Sequence, residues 1–289
     1  MKKSILLFSV FSMLSFSAFS QTEAIFSTDG FAPFWSNPAS TGSFNKFSAN
    51  AIYRNQWPSI PGNFNTYGFT VEADTKIGFK STEQKLNIPI GLNAVFTQFG
   101  NFNTQTIAVP FSFPFKLRNS TLAIGVSAGV KRAGFIEGMS FYSGAAASAS
   151  VTKLNLNAGV FWSGKNYYLG FSSTNLTAPI FDIINYKLKR QYNWQAGYRF
   201  KVGKHHIYPM LIGASDLITT NLRLITYFQF KEDIFSFGAG FSPRYDYYLG
   251  GTVRLKQFKL GYMYDLTTSK LTNASGGSHE FRLSYTIAK

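Results

Sequence analysis

Side chains able to move protons or bind metals are few in this sequence of 289 residues, which has three histidines and 13 carboxylates. His205 and His206 are adjacent. Neighbouring residues on an extended chain point to opposite faces, so this pair makes a poor chelate. A hydrolase needs a histidine beside a carboxylate or a serine. Ser278, His279 and Glu280 have that composition, and the plainer reading of them is the edge of a loop. Cysteine is absent, which excludes disulfides, thiolate metal sites and a cysteine nucleophile together. Gly238-Ala239-Gly240 sits inside an alternating stretch with no helix after it and is no dinucleotide fingerprint. No catalytic, cofactor-binding or metal-binding residue is assigned, and neither enzymatic activity nor a cofactor is expected.

The basic residues are more informative. Lys and Arg number 28, for a formal charge of +15. Arg199, Lys201, Arg223, Lys231, Arg254, Lys256, Lys259 and Arg282 share one phase of the alternating stretches, as do Asp265 and Glu280. Gathered on an inner wall, so many cations need a counterpart: acidic groups of a plug, ions or an acidic partner segment. Ordinary solvated walls paired with a plug are the preferred reading over a dedicated anion path. A basic, aromatic mixture also suits nucleic acid. Here the aromatics lie on the same face as Leu and Val, so lipid is the expected contact and no nucleic acid is expected.

The elements that position these residues are long alternating strands. From Tyr192 to Val202 one face carries Tyr192, Trp194, Ala196, Tyr198, Phe200 and Val202, and the other Asn193, Gln195, Gly197, Arg199 and Lys201. That period of two outlasts an ordinary strand and suits a tilted crossing of a bilayer. Segments of this kind lie near 44–57, 64–76, 86–98, 103–115, 121–132, 149–163, 166–175, 191–203, 206–216, 221–231, 234–242, 245–256, 257–266 and 279–288. They predict an all-β fold, a transmembrane antiparallel β-barrel of about 14 strands. With both termini periplasmic, the longest connections fall on the external side, as barrels require, and only 77–85 is discordant. Composition agrees: charged residues are 14%, too few for disorder, and no stretch is long and apolar enough for a membrane helix.

Residues 1–20 read as a signal peptide, with Lys2 and Lys3 before an apolar stretch and cleavage near Ser20/Gln21. Export to the outer membrane follows. Residues 21–43 do not alternate, yet carry Phe26, Phe31, Phe34 and Trp35. Such residues find something to bury against, so this segment is expected to fold into the lumen of a barrel spanning 44–289.

Asn37-Pro38-Ala39-Ser40-Thr41-Gly42, Tyr53-Arg54-Asn55-Gln56-Trp57 and Ile60-Pro61-Gly62, taken in order, resemble the start of the PorP/SprF family of the type IX secretion system. Leu188 to Asn193, Ala196 to Phe200, Leu260 to Asp265, Gly276 to Glu280 and Leu283 to Tyr285 continue the likeness along nearly the whole mature chain. The resemblance implies a non-enzymatic outer-membrane barrel of Gram-negative bacteria, some of which glide. It implies work beside the translocon or periplasmic ring, receiving or anchoring the C-terminal domain of a secreted partner such as a surface adhesin. Asn37, Pro38, Gly42, Tyr53, Arg54, Gln56 and Trp57 are the family motif and expected plug contacts; Arg199, Arg223, Arg254 and Arg282 are the expected basic lumen. The alternative is a plugged channel for hydrophobic or anionic small molecules.

Overall fold

The computed structural model describes residues 26–27, 35–78, 85–135, 150–181, 186–231, 233–243, 246–268 and 272–289. Residues 1–25, Phe31 and Phe34, and with them the signal peptide, lie outside the described residues. The chain forms a closed antiparallel barrel of 14 strands. They are β1 (Asn45–Gln56), β2 (Phe64–Ala73), β3 (Ile90–Phe99), β4 (Phe102–Lys116), β5 (Ser120–Phe135), β6 (Ser150–Gly164), β7 (Tyr167–Thr174) and β8 (Gln191–Tyr198, resuming at Phe200–Val202). After these come β9 (His205–Ser215), β10 (Thr220–Phe230), β11 (Phe235–Ser242), β12 (Asp246–Leu255), β13 (Phe258–Thr267) and β14 (Ser278–Ala288). Each strand pairs with its neighbour in sequence, and β1 pairs with β14, with Arg54 opposite Glu280. Closure leaves no strand edge unpaired, which is what a sheet crossing hydrocarbon requires.

All the alternating segments are strands, within a few residues at each end. The break in β8 has a local cause. Gly197 pairs with Met210 and Phe200 with Ile207, and the intervening stretch of β9 contains Pro209, which has no N–H to give. Arg199 N–H turns instead to the Asn166 carbonyl at 2.7 Å. The discordant connection at 77–85 belongs to a small added hairpin, Lys76–Gly78 paired with Lys85–Asn87.

Burial follows the period of two. In β2, Thr66, Gly68, Thr70 and Glu72 are buried, while Tyr67, Phe69 and Val71 are exposed. Exposed Phe, Leu, Val and Ile cover the outer wall on nearly every strand, an apolar band that water would penalise and lipid accepts. The inner wall departs from the polar lining that alternation suggested. Phe161, Tyr168, Tyr208, Met210, Ile225, Tyr227, Tyr248 and Met263 are buried there and form one cluster with Ala39 and Ala123. An interior this apolar needs packing partners, because in a water-filled lumen those side chains would gain nothing by pointing inward.

Candidate functional site

The partners come from the chain's own N-terminal segment. Pro38–Ser40 forms a single 3-10 turn, and Asn37 caps it: its Oδ1 accepts the Ala39 N–H at 3.0 Å. The same side chain reaches the barrel wall, its Nδ2 donating to the Val160 carbonyl at 3.0 Å. Two further anchors are hydroxyls of the inner wall: Ser172 Oγ donates to the Ser36 carbonyl at 2.6 Å and Ser112 Oγ to the Ala39 carbonyl at 2.8 Å.

Such close approach needs glycine on the wall. A Cβ on Gly125 would lie 2.2 Å from the Ala39 nitrogen, and one on Gly159 2.3 Å from Asn37 Oδ1. Trp35 lies over Gly68 in the same way and packs on Phe26, with ring centroids 4.9 Å apart. At the lower end Gly42 turns with φ 67°, and its N–H donates to Glu72 Oε2 at 2.6 Å while Ser48 Oγ donates to Oε1 at 2.8 Å. The wall glycines are thus a cradle for Asn37 to Gly42.

A second cluster, nearer the long-loop end, is ionic. Arg54 pairs with Asp265 at 2.5 Å and with Glu280 at 3.1 Å, and all three are buried. Ser27 sits among them, its N–H donating to Glu280 Oε2 at 2.8 Å and its Oγ to Asp265 at 3.0 Å. Arg223 adds a longer bond to Ser27 Oγ at 3.4 Å and lies over the Tyr248 ring at 5.2 Å. Asp246 adds a third carboxylate within electrostatic reach of Arg54, Arg223 and Asp265. A third cluster places Arg254 and Lys259 on Asp233, at 2.9 and 2.8 Å. Arg282 donates to Asn50 Oδ1 at 2.7 Å.

The expected basic lumen is therefore only partly a set. Arg223, Arg254 and Arg282 are on the inner wall, and Arg199 keeps the same phase but sits at the exposed short-turn mouth, its guanidinium over Tyr208 at 5.2 Å. The counterparts sought in a plug, ions or a partner include the wall's own Asp265, Glu280 and Asp233. Of the expected plug contacts, Asn37, Pro38 and Gly42 lie on the inside at the cradle, and Arg54 lies on the inside in the ionic cluster. Tyr53 faces outward onto Tyr67, with its hydroxyl donating to Asn65 at 3.0 Å. Gln56 ends β1 opposite Ser278, and Trp57, at φ 59°, donates its N–H to the Gly277 carbonyl at 2.9 Å, joining two external loops.

The Ser278, His279, Glu280 set is not a catalytic constellation. Ser278 and Glu280 are buried on the inner face, whereas His279 points outward, its Nδ1 2.8 Å from the Tyr262 hydroxyl. Among the described residues no group of metal-ligating side chains converges. At the long-loop mouth Phe181 and Leu188 are buried against Ala133, Phe102 and Val151, so the loop after β7 folds back over the ends of β4, β5 and β6. Lys189 of that loop meets Asp216 at 3.4 Å. Burial raises the Asp216 carboxyl, but the Thr219 and Ile218 N–H groups and Lys189 outweigh it and hold it below the usual carboxylate range.

Residues 18–285 match the family described as type IX secretion system membrane protein PorP/SprF. No curated relative matches the sequence. Among solved structures, the outer membrane protein Omp33 of Acinetobacter baumannii is similar, with 9% identity, a TM-score of 0.51, and coverage of 86% of this chain and 100% of that one. The TodX deltaS2S3 mutant monoaromatic hydrocarbon channel has 8% identity and a TM-score of 0.46, covering 90% and 95%. Outer membrane phospholipase A of Escherichia coli has 10% identity and a TM-score of 0.34, covering 85% and 91%. At these identities the first likeness concerns the barrel fold alone, and the two lower scores carry no argument.

Proposed function

Because the chain belongs to the PorP/SprF family of type IX secretion system membrane proteins, we propose that it is a non-enzymatic barrel that binds a secreted protein at the outer membrane. The partner is the C-terminal domain of a protein such as a surface adhesin, held or escorted at the long-loop face. Translocon or periplasmic ring components are its further contacts. Residues 1–20 are removed on export and 21–43 form the plug.

The observation that carries the reading is how the inner wall is used. Glycines at 125 and 159 approach Asn37 and Ala39 too closely for any side chain, and Ser27 completes the Arg54, Asp265, Glu280 cluster. A wall so committed to its own chain supports work by surface binding over conduction. Affinity capture of the full chain from detergent-solubilised outer membrane tests this. Recovery of a secreted protein through its C-terminal domain is expected, and recovery of neither a secreted protein nor a translocon component contradicts it. Planar-bilayer recording separates the channel alternative: no stepwise conductance is expected, whereas conductance lost on Arg223→Ala or Arg254→Ala would favour transport.

A further inference from the structure

The positive charge is distributed unevenly along the barrel axis. Each strand that runs toward the short-turn end has a lysine within three residues of its last residue: Lys76 after β2, Lys116, Lys165, Lys201, Lys231, Lys256 and Lys289. All are exposed, as are Lys46, Arg118, Arg199 and Lys204 at the same end. The described acids there are already engaged. Asp74 pairs with Lys289 at 3.0 Å, Asp233 with Arg254 and Lys259, and Glu72 is buried on Gly42 and Ser48. Among the described residues the long-loop end carries no matching repeat: Arg132, Lys153, Lys187 and Arg190 are scattered there among Asp216, Asp246, Asp265 and Glu280.

The phase of the repeat shows which way this charge faces. Lys116, Lys201, Lys231 and Lys256 each follow an outward apolar residue: Phe115, Phe200, Phe230 and Leu255, all exposed on the lipid side. Lys116 and Lys201 fall on the inner phase of β4 and β8. Lys231 and Lys256 take φ of 45° and 57° in their turns, where glycine or asparagine is the unstrained choice. At the height of the headgroups the outer wall is therefore apolar and the cations crown the mouth. An anionic headgroup beside the barrel would meet the Phe and Leu band, whereas a polyanion approaching along the axis would meet the lysines.

We infer that the short-turn mouth is a docking surface for an acidic polypeptide segment. By the rule that outer-membrane barrels keep short turns on the periplasmic side, that partner approaches from the periplasm. The surface is separate from the long-loop face and does not depend on what binds there.

The test uses the full chain in phosphatidylcholine nanodiscs and a fluorescent oligoglutamate peptide as probe. One variant carries Lys116→Gln, Lys201→Gln, Lys231→Gln and Lys256→Gln. A control removes equal charge at the other end, through Arg132→Gln, Lys153→Gln, Lys187→Gln and Arg190→Gln. The mouth variant is expected to weaken binding about tenfold or more and to flatten its salt dependence, while the control stays within about twofold. The four lysines changed to arginine should restore binding. Equal losses in both variants, no loss in the mouth variant, or failure of arginine to rescue would overturn the inference. So would retention of phosphatidylglycerol, in place of the peptide, as the property the mouth variant loses. Unchanged heat-modifiable mobility on gels certifies folding, and pairwise lysine variants replace the fourfold one if it does not fold.

Discussion

Arg54→Met isolates the ionic cluster. It leaves Asp265 and Glu280, both buried, beside Ser27, the more distant Arg223 and the further carboxylate of Asp246. Removing one partner of a buried ion pair typically costs about 3–5 kcal/mol, because the other charge stays desolvated and uncompensated. Two carboxylates are stranded here, which favours the upper part of that range, and the Arg223 bond to Ser27 offsets some of it. The cost should be visible as a lowered urea midpoint in detergent-refolded protein, followed by tryptophan fluorescence and gel mobility. The decisive comparison is the triple variant Arg54→Met, Asp265→Asn, Glu280→Gln. Removing the charge with its counterparts should recover most of the loss, since an uncharged replacement of a buried pair is often near neutral. A loss below about 1 kcal/mol for Arg54→Met, the range of a surface pair, would refute the reasoning. So would a triple variant no more stable than the single one.

Other perturbations read other parts of the same account. Gly125→Leu should destabilise by about 1–3 kcal/mol through overlap with Ala39 and expose the N-terminal segment to protease, whereas the same volume added at lipid-facing Ala128 should do neither. Asn37→Ala removes the cap of the 3-10 turn and its bond to the wall, at a cost of about 1–2 kcal/mol in the same urea assay. Asp216 has a depressed folded-state pKa, so its stabilising share is present above the unfolded value of about 3.9 and is lost as pH falls through the folded value. Asp216→Asn should therefore lower the melting temperature at pH 7 and flatten its acid-side decline, and an unchanged slope would contradict the loop geometry. His279→Ala, at an outward position, should leave folding and partner capture intact.

The barrel was legible because alternation is a strong signal when one face meets lipid: Tyr67, Phe69 and Val71 against Thr66, Gly68, Thr70 and Glu72 can be read without coordinates. Proline placement explains the one interrupted strand only after pairing is known, since Pro209 breaks β8 and not its own β9. The inner apolar cluster was hidden. Tyr227 and Tyr248 sit at inward positions that alternation marks as polar, and nothing local says that Ala39 and its neighbours come to cover such a wall. The glycine cradle was equally hidden, because Gly125 and Gly159 look like any small residue in a strand until Asn37 and Ala39 lie against them. Arg54 was picked out by family resemblance. Asp265 and Glu280 read as inward acids but not as its partners, because they come from the far end of the chain. His279 and Glu280 have the composition of a hydrolase pair, a reading with no preference in the sequence, and strand geometry sends the two to opposite faces.

The claim on which the functional reading depends is that Asn37 to Gly42 are held inside the barrel. The chain has no cysteine, so Ala39→Cys supplies a single reporter thiol at a fully buried position. Labelling of the folded protein in lipid by a membrane-impermeant maleimide, compared with labelling after unfolding in urea, measures its access directly. The account predicts that the folded protein stays unlabelled on the time scale in which the unfolded one reacts completely. Equal rates in the two states would contradict it.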